Sequence, residues 1–213
     1  MKYPIGIQTF EKIVEGGYVY VDKTELIYKL VNMGEYYFLS RPRRFGKSLL
    51  TTTLEAYFLG RKELFRGLAM ERLETNWTTY PVFHLDFSAA DYTDSAALDS
   101  RIELAISNWE NKYGKNKIEK NFGERLNGVV NRAKEQTGQK AVLLIDEYDK
   151  PVLDNLSCLE DAEAMRRKLR SFYTVVKGCE EYLRFVMLTG ISKFTKMGVF
   201  SAINNVRRKN GGV

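Results

Sequence analysis

The sequence predicts an α/β fold of three layers, with a central, mostly parallel sheet and helices on both faces. Three observations carry this expectation. Strand-like and helix-like segments alternate along the chain, as they do when helices connect parallel strands. The run 141–145 (AVLLI) is apolar at every position, which suits a strand buried on both faces. Several strand-like runs end in polar residues: Ser40 onward, Asp146-Glu147, Thr189, and Asp86 near the end of a fourth. Ligands of such sheets bind at the carboxyl ends of the strands.

In chain order, the first 30 residues read as a polar lead-in with a turn at Gly16-Gly17 and a β-like run at 18–21. Asp22 is placed to cap a helix over 23–31, with Leu26, Ile27 and Leu30 on one face. A strand follows at 36–39 and runs into the loop Ser40-Arg41-Pro42-Arg43-Arg44-Phe45-Gly46-Lys47-Ser48. Leu50, Leu54 and Phe58, at i, i+4 and i+8, predict a helix ending near Gly60. A strand at 81–87 precedes helices at 95–113 and 118–136. The first of these carries Leu98, Ile102, Ala105, Ile106 and Trp109 on one stripe. After the strand at 141–145 come a helix at 161–177 and a last strand at 182–188.

Composition bounds the class. The chain has 213 residues, 44% hydrophobic and 28% charged, which fits one globular domain with a real core and argues against disorder. The net charge of +6 and pI near 9.1 suit a phosphate-bearing partner or a mildly basic solvated surface. The local cluster Arg41, Arg43, Arg44, Lys47 is more telling than the total. Two cysteines without C-x-x-C spacing and one histidine cannot assemble the usual zinc site, and they fit a reducing cytosol. No window approaches the ~18 apolar residues of a membrane span. The chain reads as cytoplasmic and without a signal peptide.

The loop after the first strand carries the second half of a P-loop, Gly46-Lys47-Ser48, with Arg41 where G-x-x-x-x-G-K-[ST] begins in glycine. Gly46 would let the backbone approach phosphates. Lys47 would pair with the β- and γ-phosphates, and the Ser48 hydroxyl would reach magnesium. Arg43, Arg44, Phe45, Gly46, Lys47, Ser48 and Leu49 form the candidate nucleotide-binding segment, since amides at a new helix N-terminus favour anions. A basic turn that happens to contain Gly-Lys-Ser is the competing reading. The apolar run ending in Asp146-Glu147 has the Walker B pattern. Asp146 would hold magnesium through water, and Glu147 would orient and polarise the attacking water. A solvated acidic turn is the bland alternative. It loses ground because a P-loop lysine and a Walker B acid recur together, each at its own strand end. Thr189 and Ser192, after a later strand, are the sensor candidates.

Other features take structural readings. His84 lacks a second histidine and is expected to pack or hydrogen-bond locally. Glu110-Asn111-Lys112 matches the E-x-K tail of a nuclease motif but falls in a helix with no preceding strand. Arg166, Arg167, Lys168 and Arg170 read as a solvated helix face. The segment 146–150 reads as an active-site loop and not as a metal cage.

Six strings carry a resemblance: Pro4-Ile5-Gly6-Ile7 with Phe10; Tyr20-Val21-Asp22-Lys23-Thr24; residues 41–48; His84-Leu85-Asp86-Phe87-Ser88; Leu144-Ile145-Asp146-Glu147-Tyr148-Asp149-Lys150-Pro151; and Leu188-Thr189-Gly190-Ile191-Ser192-Lys193-Phe194. Together they resemble the prokaryotic AAA-ATPase-like family, as far as about Asn205. The resemblance implies a P-loop NTPase fold of the AAA/ASCE class, with a strand added between the Walker A and Walker B strands, and ATP and magnesium as cofactors. Arg41 looks like this family's own form of the loop. Many members carry a PD-(D/E)xK nuclease-like domain after the ATPase domain, and these 213 residues contain none. The expected domain spans 1–205. Residues 206–213 read as a basic, glycine-containing tail and a truncated end, which leaves open a lid and a sensor arginine.

Three functions compete: a magnesium-dependent ATPase using Lys47, Asp146 and Glu147; a nucleotide switch without hydrolysis; and a nucleic-acid-binding module with a vestigial nucleotide site. An oligomer that supplies an arginine finger is not written in the sequence.

Overall fold

The computed structural model describes residues 1–192 and the backbone of Arg207–Arg208. Lys193 and Phe194 of the last family string, and the remainder of the 206–213 tail, lie outside the described residues. The strands are β1 (Tyr36–Ser40), β2 (Val82–Asp86), β3 (Ala141–Asp146), β4 (Leu183–Gly190) and the two-residue β5 (Arg207–Arg208). The helices are α1 (Phe10–Glu15), α2 (Thr24–Met33), α3 (Lys47–Phe58), α4 (Ala69–Leu73), α5 (Ser95–Tyr113), α6 (Phe122–Thr137), α7 (Lys150–Leu153) and α8 (Leu159–Gly178). All strand pairs are parallel, in the order β2-β3-β4-β1-β5. The late strand β4 therefore sits between β1 and β3, as the resemblance implies, and the three-layer α/β expectation holds.

Side-chain alternation along β3 builds the layers. Leu143 and Ile145 join a core with α5, α6 and α8, through Ile106, Val129 and Phe172. Val142 and Leu144 face the opposite way, into a second core with α1 to α4 through Phe10, Val31, Leu54 and Met70. Every β3 residue is buried. Each large apolar side chain removed from water there contributes roughly 1.5–3 kcal/mol. The α5 stripe from Leu98 to Trp109 is buried as its 3.6-residue spacing predicts.

Several expectations are corrected. No strand forms at 18–21. The polar lead-in contains α1, anchored by the buried Phe10 and Ile13, a turn and a half too short to register as periodicity. On α2 the buried face is Thr24, Ile27 and Val31, whereas Leu26 is exposed. The N-cap of α2 is Lys23, not Asp22, which lies one residue earlier and still takes up the first amide of the helix. Asp22 Oδ1 accepts from the Thr24 amide at 2.8 Å, and its Oδ2 accepts from the Ala69 amide at the start of α4. Thr24 Oγ1 accepts from Met70 N at 2.9 Å, so Asp22 and Thr24 together join two helices. Helix α6 starts at Phe122, not 118, because Asn121 and Glu124 form a capping box there.

Candidate functional site

The loop after β1 is fixed at its start by the sheet. Ser40 Oγ donates to Ile191 O at 2.8 Å, and the Arg41 amide donates to Gly190 O at 3.0 Å. Arg41 thus continues the β1–β4 ladder, and its φ is not positive, so the chain has no need of glycine there. The left-handed positions are Arg44 (φ 67°) and Gly46 (φ 73°). Gly46 is required by that angle and not by crowding, since a Cβ would meet nothing within 4 Å. Arg44 has no such exemption, and a non-glycine residue held there costs of order 1–3 kcal/mol. Gly46 caps α3, so the amides of its first turn open onto the loop. Arg43, Arg44 and Phe45 are exposed, Ser48 and Leu49 are half-buried, and Lys47 is 3% exposed.

Lys47 points back beneath the loop. Its Nζ donates to the carbonyls of Arg41 (3.2 Å) and Pro42 (3.3 Å) and lies 3.0 Å from Glu147 Oε1. Glu147 follows β3 in a left-handed conformation (φ 51°), which turns its side chain toward α3. Burial pushes the Glu147 carboxyl above the usual carboxylate range. Lys47 opposes this, while Asp146 and Asp149 add to it. Asp146 is 2% exposed and well held. Its Oδ1 accepts from the Glu147 amide at 3.1 Å and from the Thr189 hydroxyl, and its Oδ2 accepts from Thr51 Oγ1 at 3.4 Å.

The two sensor candidates sit on this constellation with their hydroxyls directed into the protein. Thr189 is fully buried and donates to Asp146. Ser192 donates to Asp149 Oδ2 at 2.6 Å. Lys47, Asp146, Glu147 and Thr189 therefore converge at adjacent strand ends, while Arg43, Arg44 and Phe45 stand on the exposed rim. The sequence reading missed Thr51, and it placed Tyr148 and Asp149 in an active-site loop without giving either a role. Thr51 lies one helical turn after Lys47, so i,i+4 spacing offered a signal. Asp149 gave none beyond its place in that loop and in a family string.

The family described as predicted AAA-ATPase has a model that matches residues 4–200. The chain belongs to this family. It is also 42% identical over 207 residues to an uncharacterized protein in the vnfD 5' region of Azotobacter chroococcum mcd 1. That match takes in 96% of this chain and 40% of the relative, so the chain spans about two fifths of the relative's length. No solved structure matches.

The strings shared with the AAA-ATPase-like family now have physical content. Asp22-Lys23-Thr24 joins α2 to α4, the loop 41–48 and residues 146–149 carry the convergent groups, and residues 189–192 lie between them. The features set aside in the sequence behave as structural parts. His84 Nδ1 lies 2.8 Å from Glu55 Oε2 on α3. Glu110 is 4% exposed and takes a two-pronged bond from Arg125 at 2.9 and 2.8 Å, which occupies the carboxylate of the E-x-K match. Arg166 pairs with Glu163, and Lys168 with Asp99. Both cysteines are free thiols. Among the described residues no group of three His, Cys, Asp or Glu side chains could hold a metal, and no helix is long and apolar enough to cross a membrane.

Proposed function

We propose that the chain binds ATP with magnesium through residues 43–49 and hydrolyses it. The observation that carries this reading is the 3.0 Å approach of Lys47 Nζ to Glu147 Oε1, with Asp146 beside them, at the mouth of a helix N-terminus. A cation, a water-polarising carboxylate and a second carboxylate come from two strand ends and meet where anions are favoured. The donor set fits magnesium, which uses one or two protein oxygens and keeps waters and phosphates for the rest. Ser48 and Asp146 would hold it, and when bound it would supply charge neutralisation on the phosphate oxygens.

The amides of residues 45–49 bind the phosphates, with the α3 dipole behind them. Lys47 leaves Glu147 for the phosphates and neutralises charge that develops on them, helped by Arg43 or Arg44 from the rim. Glu147, released from its cation and kept basic by its burial, orients a water for in-line attack and takes its proton at a carboxylate oxygen. Asp146 is held in one rotamer by Thr51 and Thr189. A nucleotide switch without turnover is the second reading. What favours it is the same ion pair, which occupies Glu147 until a ligand takes Lys47. A nucleic-acid role has no such support, since the α8 residues Arg166 and Lys168 are engaged in ion pairs.

Calorimetry with magnesium and ATP, wild type beside Lys47→Ala, tests binding. A charge-assisted contact to phosphate is worth about 1.5–3 kcal/mol, so the variant should bind about 10–100-fold more weakly. Phosphate release in the same samples decides between ATPase and switch. Equal affinity in the two proteins refutes the site.

A further inference from the structure

We propose that Asp149 is a positioning residue for turnover, clamping the end of β4 against the loop that carries Glu147. This rests on the ATPase reading above. Asp149 is fully buried, and among the described residues no ion pair compensates it. Its Oδ2 instead accepts three hydrogen bonds, from the amides of Ile191 (2.9 Å) and Ser192 (2.6 Å) and from Ser192 Oγ (2.6 Å). Bonds to an ionised acceptor are short and roughly twice as strong as neutral ones. The carboxylate thus fixes two consecutive backbone units just beyond the strand.

Tyr148 completes the clamp. Its amide donates to Thr189 O and its hydroxyl to Ser192 O, both at 2.9 Å. Its ring lies flush on Gly190, where a Cβ would fall 2.3 Å from Tyr148 Cε1 and 2.7 Å from Asp149 Oδ1. Residues 189–192 are therefore gripped on one side by Tyr148 and Asp149. On the other side they carry the first loop, because Gly190 O accepts from the Arg41 amide and Ile191 O from Ser40 Oγ. Thr189 meanwhile orients Asp146. One short segment thus sets the spacing between the loop bearing Lys47 and the loop bearing Glu147.

The arrangement is poor value as stabilisation. Asp149 Oδ1 has no hydrogen-bond partner among the described residues, and neither has the hydroxyl of Tyr173, a fully buried α8 residue whose pKa is raised by burial first and then by the charges of Tyr148 and Asp149. A half-satisfied buried network costs more than an apolar one. What the carboxylate provides is a single position for residues 191–192. In a catalytic constellation that is worth much, since a misplacement of about 1 Å can cost about 100-fold in rate.

The test measures kcat, KM and ATP affinity of the full chain for wild type, Asp149→Asn, Tyr148→Phe and the double variant, with thermal midpoints alongside. Asparagine keeps the shape and removes the charge. Tyr148→Phe removes only the hydroxyl that holds Ser192 O, and it serves as the test if Asp149→Asn fails to fold. We expect Asp149→Asn to lower kcat by about 10–100-fold and Tyr148→Phe by about 3–10-fold, each with KM and ATP affinity within about threefold of wild type. In the double variant the losses should be less than multiplicative, because both act through one segment. Turnover within about twofold of wild type in the folded variants overturns the proposal, as does a loss carried entirely by KM. A wild type that binds ATP but releases no phosphate is visible before any variant is compared. It removes the ATPase reading and the turnover role of Asp149 together.

Discussion

Replacing Glu147 by glutamine separates two contributions of one carboxylate. Glu147 is the charge partner of a lysine that is 3% exposed, while its own side chain is 17% exposed. Removing one member of a fully buried pair costs about 3–5 kcal/mol. Exposed pairs are worth about 0–1 kcal/mol. Lys47 also keeps the carbonyls of Arg41 and Pro42, so the loss should fall between these limits, at about 1–2 kcal/mol. For a domain of this size that lowers the thermal midpoint by about 2–8 °C. The same pair must open before Lys47 can reach a phosphate, so glutamine should tighten ATP binding by about 5–30-fold, the binding equivalent of about 1–2 kcal/mol. Turnover should fall below detection, because glutamine cannot take the proton. Calorimetry, thermal unfolding and phosphate release on the same preparation read all three. A variant that hydrolyses ATP at the wild-type rate refutes Glu147 as the base. One that binds ATP no more tightly and melts at the wild-type temperature refutes the Lys47–Glu147 pair as an obstacle to the nucleotide.

Gly190→Ala should lose about 1–3 kcal/mol to overpacking, because the new methyl meets the Tyr148 ring and the Asp149 carboxylate on a buried strand. A thermal midpoint equal to wild type would mean that residues 148–149 yield freely. For His84, burial disfavours the imidazolium, but the bond to Glu55 and the nearby Asp146 and Asp86 outweigh it, so the folded-state pKa lies above the ordinary 6.5. The resulting stability is fully present below pH 6.5 and is lost as pH rises through the folded-state value. Thermal midpoints across that window should fall in wild type relative to their trend in Glu55→Gln, and parallel trends would sink the assignment.

The layered fold was legible because its signals are local and repeated. The apolar run of β3, the α5 stripe and the polar strand ends each follow from the periods of strand and helix. Lys47, Asp146 and Glu147 were legible for the same reason, as residue types at fixed offsets from a strand end. The short α1 was hidden because six residues give no period, and its anchor Phe10 is buried only once α3 and the loop around Phe65 are in place. The true start of α6 was written in the Asn121–Glu124 box and was passed over for the apolar Ile118, which is exposed.

The sequence by itself determined the order of elements, the parallel sheet and the residue types at the two loops. Tertiary structure decided which groups touch. A β4 strand late in the chain inserts between β1 and β3, so Thr189 falls beside Asp146 and residues 190–192 fall beneath both loops. It also turned Glu147 onto Lys47 through a left-handed backbone angle, and closed Asp149 around amides 42 and 43 positions away. These contacts join residues far apart in the chain, and hydrogen bonding at such separation leaves no period or spacing in a single sequence.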